Sequence, residues 1–173
     1  DTVIFVFFAI LQEQREVGRQ TIKEVYKEDG SKFGESERVL RINNLGSEDL
    51  KKDLQLASEI EVDALLFSKI DCKEDVLEAE RLLNEVNPKL SLMIMIETPL
   101  SVLNIHEICA ASSKVEVVVV GSNKLANRLH IDIKKGSKAM FNYLSQIALA
   151  SKAYGKTVID GPHFDVNDEF ACE

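Results

Sequence analysis

A chain of 173 residues, 45% hydrophobic and 29% charged, carries enough apolar material for one domain with a sizeable core, and nothing in it marks a second. Its 29 acidic against 21 basic residues give a formal charge of −8, which argues against nonspecific nucleic-acid or anionic-membrane binding and leaves room for a local basic pocket. Three cysteines, Cys72, Cys109 and Cys172, stand far apart without CxxC spacing, so free thiols in a reducing compartment are expected rather than a disulfide framework or a zinc site.

Thr2–Phe8 is continuously apolar and rich in β-branched and aromatic residues, the mark of a strand covered on both faces. Residue 1 is Asp rather than Met and stands at the mouth of this strand, so further chain is expected upstream. Gln12–Glu28 follows with Val17, Ile22, Val25 and Tyr26 near helical spacing. A glycine-containing loop leads to a short strand, Arg38–Ile42, and Ser47 is placed to cap a helix over Glu48–Ile60 with the stripe Leu50, Leu54, Ala57 and Ile60. The strand Ala64–Phe67 ends in Ser68-Lys69, and Lys73–Val86 reads as a helix with Val76, Leu77, Ala79, Leu82 and Leu83 inward, stopped by Asn87-Pro88.

LMIMIET, Leu92–Thr98, is a buried strand that ends in a carboxylate, Glu97. Thr98 and Pro99 then suit the cap and first position of a helix from about Leu100 to Ala111. Val115–Val120 is another fully buried strand, closed by Gly121; residues 122–133 read as a loop with a helical turn. Ser137–Tyr154 is a long helix with Ala139, Met140, Tyr143, Leu144, Ile147 and Ala148 inward, and Thr157–Ile159 is a last short strand before Asp160-Gly161-Pro162. No apolar run approaches the roughly 18 residues of a membrane span, and no signal-peptide pattern precedes the first strand, so a soluble, intracellular protein is expected.

Six strands alternating with helices mean parallel βα units, either an open doubly wound sheet or a barrel. No GxGxxG or GxxxxGK[ST] follows any strand, which removes the usual signature of the nucleotide-binding open sheet. In a barrel all strand ends converge on one mouth, and the residues there are Arg41, Ser68-Lys69, Glu97, Gly121–Lys124 and Asp160.

The runs VLRINN (39–44), LLFSKI (65–70), MIETPLSVLNIHEICAAS (95–112), VVVVGSNKL (117–125) and TVIDGPHFDVND (157–168) resemble the citrate lyase beta subunit family, which includes malyl- and citramalyl-coenzyme A lyases within the HpcH/HpaI aldolase superfamily. The resemblance spans nearly the whole chain and is strongest from Arg41 to Asp168. It implies an α/β fold of the (β/α)8 TIM-barrel type, of which six strands are present here. The family's first strand is expected before Asp1 and its eighth after Glu173, so residues 1–173 form a single barrel domain that is incomplete or open. It also implies a magnesium-dependent carbon–carbon lyase acting on 3-hydroxyacyl-CoA thioesters, with a small acyl-CoA or keto acid as partner and a homo-oligomeric assembly. By position, Glu97 matches the family's glutamate metal ligand, and Arg41 matches the arginine that binds the keto-acid carboxylate and steadies the forming enolate.

Several positions depart from that pattern. Where the family reads Gly-x-Glu/Asn-Asp-Leu, with its Asp a second magnesium ligand, this chain has Gly121-Ser122-Asn123-Lys124-Leu125. The family's acidic DLED is Val6-Phe7-Phe8-Ala9, and the Pro of its Pro-Lys pair is Ser68, with Lys69 retained. The Tyr-Ala-Arg pattern of its long helix is Tyr143-Leu144-Ser145. Magnesium is held by hard oxygens, and Glu97 beside a cation is a poor site for it.

The expectation is therefore that the Lys124 ammonium stands near the metal's place and pairs with Glu97, and that magnesium-dependent turnover is weak or absent. The alternatives are a non-catalytic binding or assembly protein that keeps Arg41 as an anion anchor, and a Schiff-base aldolase using Lys69 or Lys124. Lys69 and Asp160 are candidate substrate contacts beside Arg41, with a cap of the Gly161-Pro162 turn as the other reading of Asp160. His106, His130 and His163 have no partner at metal-ligand spacing.

Overall fold

The six apolar runs assemble into one all-parallel sheet whose strands pair strictly in chain order: β1 (Thr2–Val6), β2 (Glu37–Arg41), β3 (Ala64–Phe67), β4 (Ser91–Ile96), β5 (Val115–Val120) and β6 (Thr157–Ile159). The structure is a computed structural model and describes residues 2–6, 14–29, 33–132 and 138–161. Each crossover carries helix: α1 (Arg15–Asp29), α2 (Leu50–Glu59), α3 (Lys73–Val86), α4 (Pro99–Leu103), α5 (Ile105–Ala110), α6 (Ser122–Arg128) and α7 (Lys138–Ala153). Sequential parallel pairing with helical crossovers of one hand curls the sheet. The result is the six-stranded arc of a (β/α)8-type barrel, with β1 and β6 as its edges.

Strand periodicity sorts side chains onto two faces. The outer set, including Leu40, Leu65, Phe67, Leu92, Ile94 and Ile96, is fully buried against the helices. The inner set is a smaller cluster of Val39, Ala64, Leu66, Met93, Met95 and Val119. Arg41 lies two positions beyond Val39, and Glu97 two beyond Met95, so the same alternation turns both toward the concave side at the C-terminal ends of their strands.

Strand β1 is not covered on both faces as its composition predicts. Ile4 and Val6 are 36% and 41% exposed, because they face the concavity of an arc that does not close over them. Its other face is held by Phe5, whose ring lies 5.1 Å from Tyr26 and 5.3 Å from Phe33. Phe7 and Phe8, the end of the predicted strand, lie outside the described residues.

On α1, Val17 is 66% exposed and Arg19 takes the inward position at 3% exposure. Ser47 caps a turn by accepting from Asp49 N at 3.3 Å, and the helix itself starts at Leu50. The predicted helix over 100–111 is broken at Asn104, whose side chain donates to the Asp71 carbonyl at 2.9 Å and ties the break to the connection between β3 and α3. Leu77 and Ala139, expected inward, are exposed. The segment after Gly121 holds more helix than expected, since α6 (Ser122–Arg128) begins directly after it. Among the described residues no helix is long and apolar enough to cross a membrane.

Candidate functional site

Glu97 is 1% exposed, which makes it a carboxylate taken almost wholly out of water. Burial of that kind costs several kcal/mol unless opposite charge and hydrogen bonds compensate it. Compensation comes from two cations: Lys124 Nζ lies 2.9 Å from Glu97 Oε2 and donates to Oε1 at 3.2 Å, and Arg41 Nη2 lies 3.7 Å from Oε2. The expected pairing of Lys124 with Glu97 is therefore present.

Local sequence explains how the three side chains meet. Gly121 N donates to Ile96 O at 2.8 Å and continues the β4–β5 ladder past the end of the strands. A Cβ on Gly121 would lie 2.6 Å from Glu97 Cβ and 3.2 Å from Oε2, so only glycine lets the β5 end pass this close to the carboxylate. The chain then turns into α6, and its third residue, Lys124, reaches back to Glu97. On the other side, Thr98 caps α4 by accepting from Ser101 N at 2.9 Å, with Pro99 in the first helical position, which fixes the backbone leaving Glu97. Thr98 Oγ1 also donates to Asp71 Oδ1.

Arg41 projects from the end of β2, its side chain 16% exposed. Burial pushes its pKa down from the ordinary arginine value, and the Glu97 charge pulls it back. The chain just beyond Arg41 is anchored by a buried polar network that sequence reading missed. Asp53, with no exposed surface, accepts from Asn43 N at 2.9 Å, Asn43 Nδ2 at 2.7 Å and Arg19 Nε at 2.9 Å. Arg19 Nη2 lies 2.8 Å from the same carboxylate and 3.0 Å from Asp49, which also pairs with Arg15 at 2.6 Å. The network ties α1 and α2 to the residues after β2. A signal was available: Arg15, Arg19, Ile22 and Tyr26 form one helical stripe, and Asp53 falls on the stripe of Leu50, Leu56 and Ala57.

Arg41, Glu97, Asn123, Lys124 and Asp160 line one concavity of about 510 Å³, walled by Leu66, Met95, Val119 and Ile159. Asp160 stands at its β6 edge, exposed, with Oδ1 accepting from Gly161 N at 2.6 Å. Lys69 is not among the lining residues; it is exposed at the end of β3, at φ 58°. Lys124 Nζ, the other candidate for imine formation, is held in an ion pair 2.9 Å from Glu97 Oε2. His106 is exposed, its ring 6.2 Å from Tyr154, and His130 adopts φ 55° after α6. His163 and Cys172 lie outside the described residues, and Cys72 and Cys109 are free thiols.

Comparison with known proteins agrees with this architecture. The chain is 29% identical over 170 residues to a (3S)-malyl-CoA thioesterase of Cereibacter sphaeroides, an alignment that covers 98% of this chain and 57% of the relative. It is 23% identical over 164 residues to an L-malyl-CoA/beta-methylmalyl-CoA lyase of Rhodobacter capsulatus, covering 79% of this chain and 51% of that protein. The chain thus spans little more than half the length of these curated relatives. Among solved structures, CitE of Mycobacterium tuberculosis in complex with magnesium, acetoacetate and coenzyme A superposes with a TM-score of 0.77 at 22% identity, over 97% of this chain and 60% of the other; at that identity the likeness speaks for the fold alone. Residues 9–172 match the family described as HpcH/HpaI aldolase/citrate lyase, and the chain belongs to that family.

Proposed function

We propose that this protein is a citrate lyase beta-like carbon–carbon lyase in ancestry, whose concave site takes the hydroxy-carboxylate end, the part released as a keto acid, of a 3-hydroxyacyl-CoA thioester of citryl, malyl or citramalyl type. Magnesium-dependent turnover in this form is weak or absent. The observation that carries the reading is the convergence of Arg41, Glu97 and Lys124 on one concavity at the strand ends, with Lys124 against both oxygens of Glu97. A guanidinium on a concave wall suits a carboxylate, which it can clamp bidentately.

A magnesium ion would supply Lewis-acid polarisation of a keto oxygen, but the residues present do not fit it. Both Glu97 oxygens already face an ammonium, and among the described residues no group of three or more His, Cys, Asp or Glu could hold a metal. The same pair favours a second reading, a non-catalytic binding protein that keeps Arg41 as its anion anchor.

The deciding experiment incubates the purified protein with malyl-CoA, with and without magnesium, and follows thioester binding by calorimetry and glyoxylate release by chromatography. Binding with little or no metal-stimulated cleavage is expected. Brisk magnesium-dependent cleavage would contradict the weak-turnover reading, and absence of any thioester binding would contradict the substrate class.

A further inference from the structure

A carboxylate serves a divalent cation only if its lone pairs face an open coordination position, with further oxygens completing the shell at about 2.0–2.1 Å for magnesium. The Glu97 lone pairs face Lys124 Nζ instead, at 2.9 Å from Oε2 and 3.2 Å from Oε1. A divalent ion on Glu97 would sit within contact range of that ammonium and of Arg41, which lies 3.7 Å from Oε2. Arg41, Glu97 and Lys124 together carry one net positive charge without any ion.

We propose that Lys124 is a built-in cation standing in for the divalent metal, and that it makes the concavity a metal-independent site for a small monoanionic 2-oxo acid. The inference rests on the keto-acid reading above and adds to it how the ligand is held. An ammonium has three donors. One is donated to Glu97 Oε1, Oε2 lies 2.9 Å away as an ion-pair contact, and the Lys124 side chain, which lines the concavity, remains 47% exposed, so a further donor is available to an oxo oxygen.

Arg41, on the same wall, takes the carboxylate of that ligand. Glu97 binds no ligand directly; it holds the ammonium in place. The single exposed carboxylate of the lining, Asp160, follows β6, the strand beside the one that leads to Lys124; its Oδ1 accepts from Gly161 N, and it adds negative potential that disfavours a dianion.

The test titrates glyoxylate, and separately pyruvate, into the full chain by calorimetry in EDTA and again in magnesium. The expected Kd is the same within about twofold in both buffers, because no ion takes part. Lys124→Met should weaken binding about tenfold or more, the weight of one charge-assisted hydrogen bond. Lys124→Arg should keep most of it, and since it preserves the charge on Glu97 it also controls for a folding defect in Lys124→Met.

Lys124→Asp should lose binding in EDTA and regain it with Mn²⁺, with Mn²⁺ uptake read directly by electron paramagnetic resonance; the parent protein should take up none. A magnesium requirement in the parent, unchanged affinity in Lys124→Met, or no glyoxylate or pyruvate binding in any buffer would overturn the proposal. Loss of thioester binding alone, with glyoxylate still bound in EDTA, would remove the lyase-type substrate and leave this site standing.

Discussion

Replacing Asp53 by alanine should destabilise the protein more than any surface change, and the structure sets the scale. The side chain is fully buried and accepts from Asn43 N, Asn43 Nδ2 and Arg19 Nε at 2.7–2.9 Å, with Arg19 Nη2 2.8 Å away. Its removal leaves Arg19, itself 3% exposed, with Asp49 and Glu16 as its remaining carboxylates, and strips the Asn43 donors of their acceptor. Breaking a buried pair from one side costs about 3–5 kcal/mol. The separate penalties for each stranded donor overlap with that figure and are not added to it.

For a chain of this size 1 kcal/mol moves Tm by roughly 2–4 °C, so a fall of about 6–20 °C is expected by calorimetry or circular dichroism. Arg81→Ala, which removes exposed pairs to Glu78 and Glu85, should leave Tm nearly unchanged, because water screens such pairs. Because Asn43 follows Arg41 by two residues, Asp53→Ala should also weaken anion binding at the concavity. A loss below about 1 kcal/mol for Asp53→Ala would refute the view that this network anchors the β2 end.

Other expectations follow from single contacts. Gly121→Ala forces a Cβ to 2.6 Å from Glu97 Cβ, an overpacking that should cost about 1–3 kcal/mol and weaken glyoxylate binding with it; unchanged melting and affinity would contradict the close approach. Thr98→Ala removes the cap of α4 and should cost about 1 kcal/mol in denaturant unfolding, while Thr98→Ser should retain most of it. Hydrogen bonds from Arg15 and Arg38 hold the Asp49 and Asp63 carboxyls below the ordinary carboxylate range. Groups lowered in the folded state contribute stability that is present above their unfolded pKa and lost as pH falls through the folded value. Tm should therefore decline on acidification below about pH 4, less steeply in Asp49→Asn; an identical pH profile in that variant would count against the Arg15 pairing.

The sequence made the strand-end chemistry legible for a physical reason: in a parallel sheet the apolar run and the polar residue that ends it are contiguous, so LMIMIET announces both β4 and Glu97. Thr98-Pro99 was readable because caps and first-turn prolines act within a few residues. The partnership of Lys124 with Glu97 was reachable because both sit at ends of adjacent strands. What escaped was set by contacts far apart in the chain. Arg19 and Asp53 are 34 residues apart and look like surface charges until each is seen on its helix's inward stripe. Asn104 breaks a helix that its own propensities would continue, because its amide finds the Asp71 carbonyl. The exposure of Ile4 and Val6 reflects how far the arc curls, which no local pattern encodes.

The central claim, that a tethered ammonium occupies the cation's place at Glu97, is tested most directly by a crystal structure of the protein grown with magnesium and glyoxylate. The account predicts Lys124 Nζ within about 3 Å of both Glu97 and the glyoxylate oxo oxygen, the glyoxylate carboxylate on Arg41, and no ion on Glu97. A magnesium ion bound to Glu97, with Lys124 turned out to solvent, would contradict it.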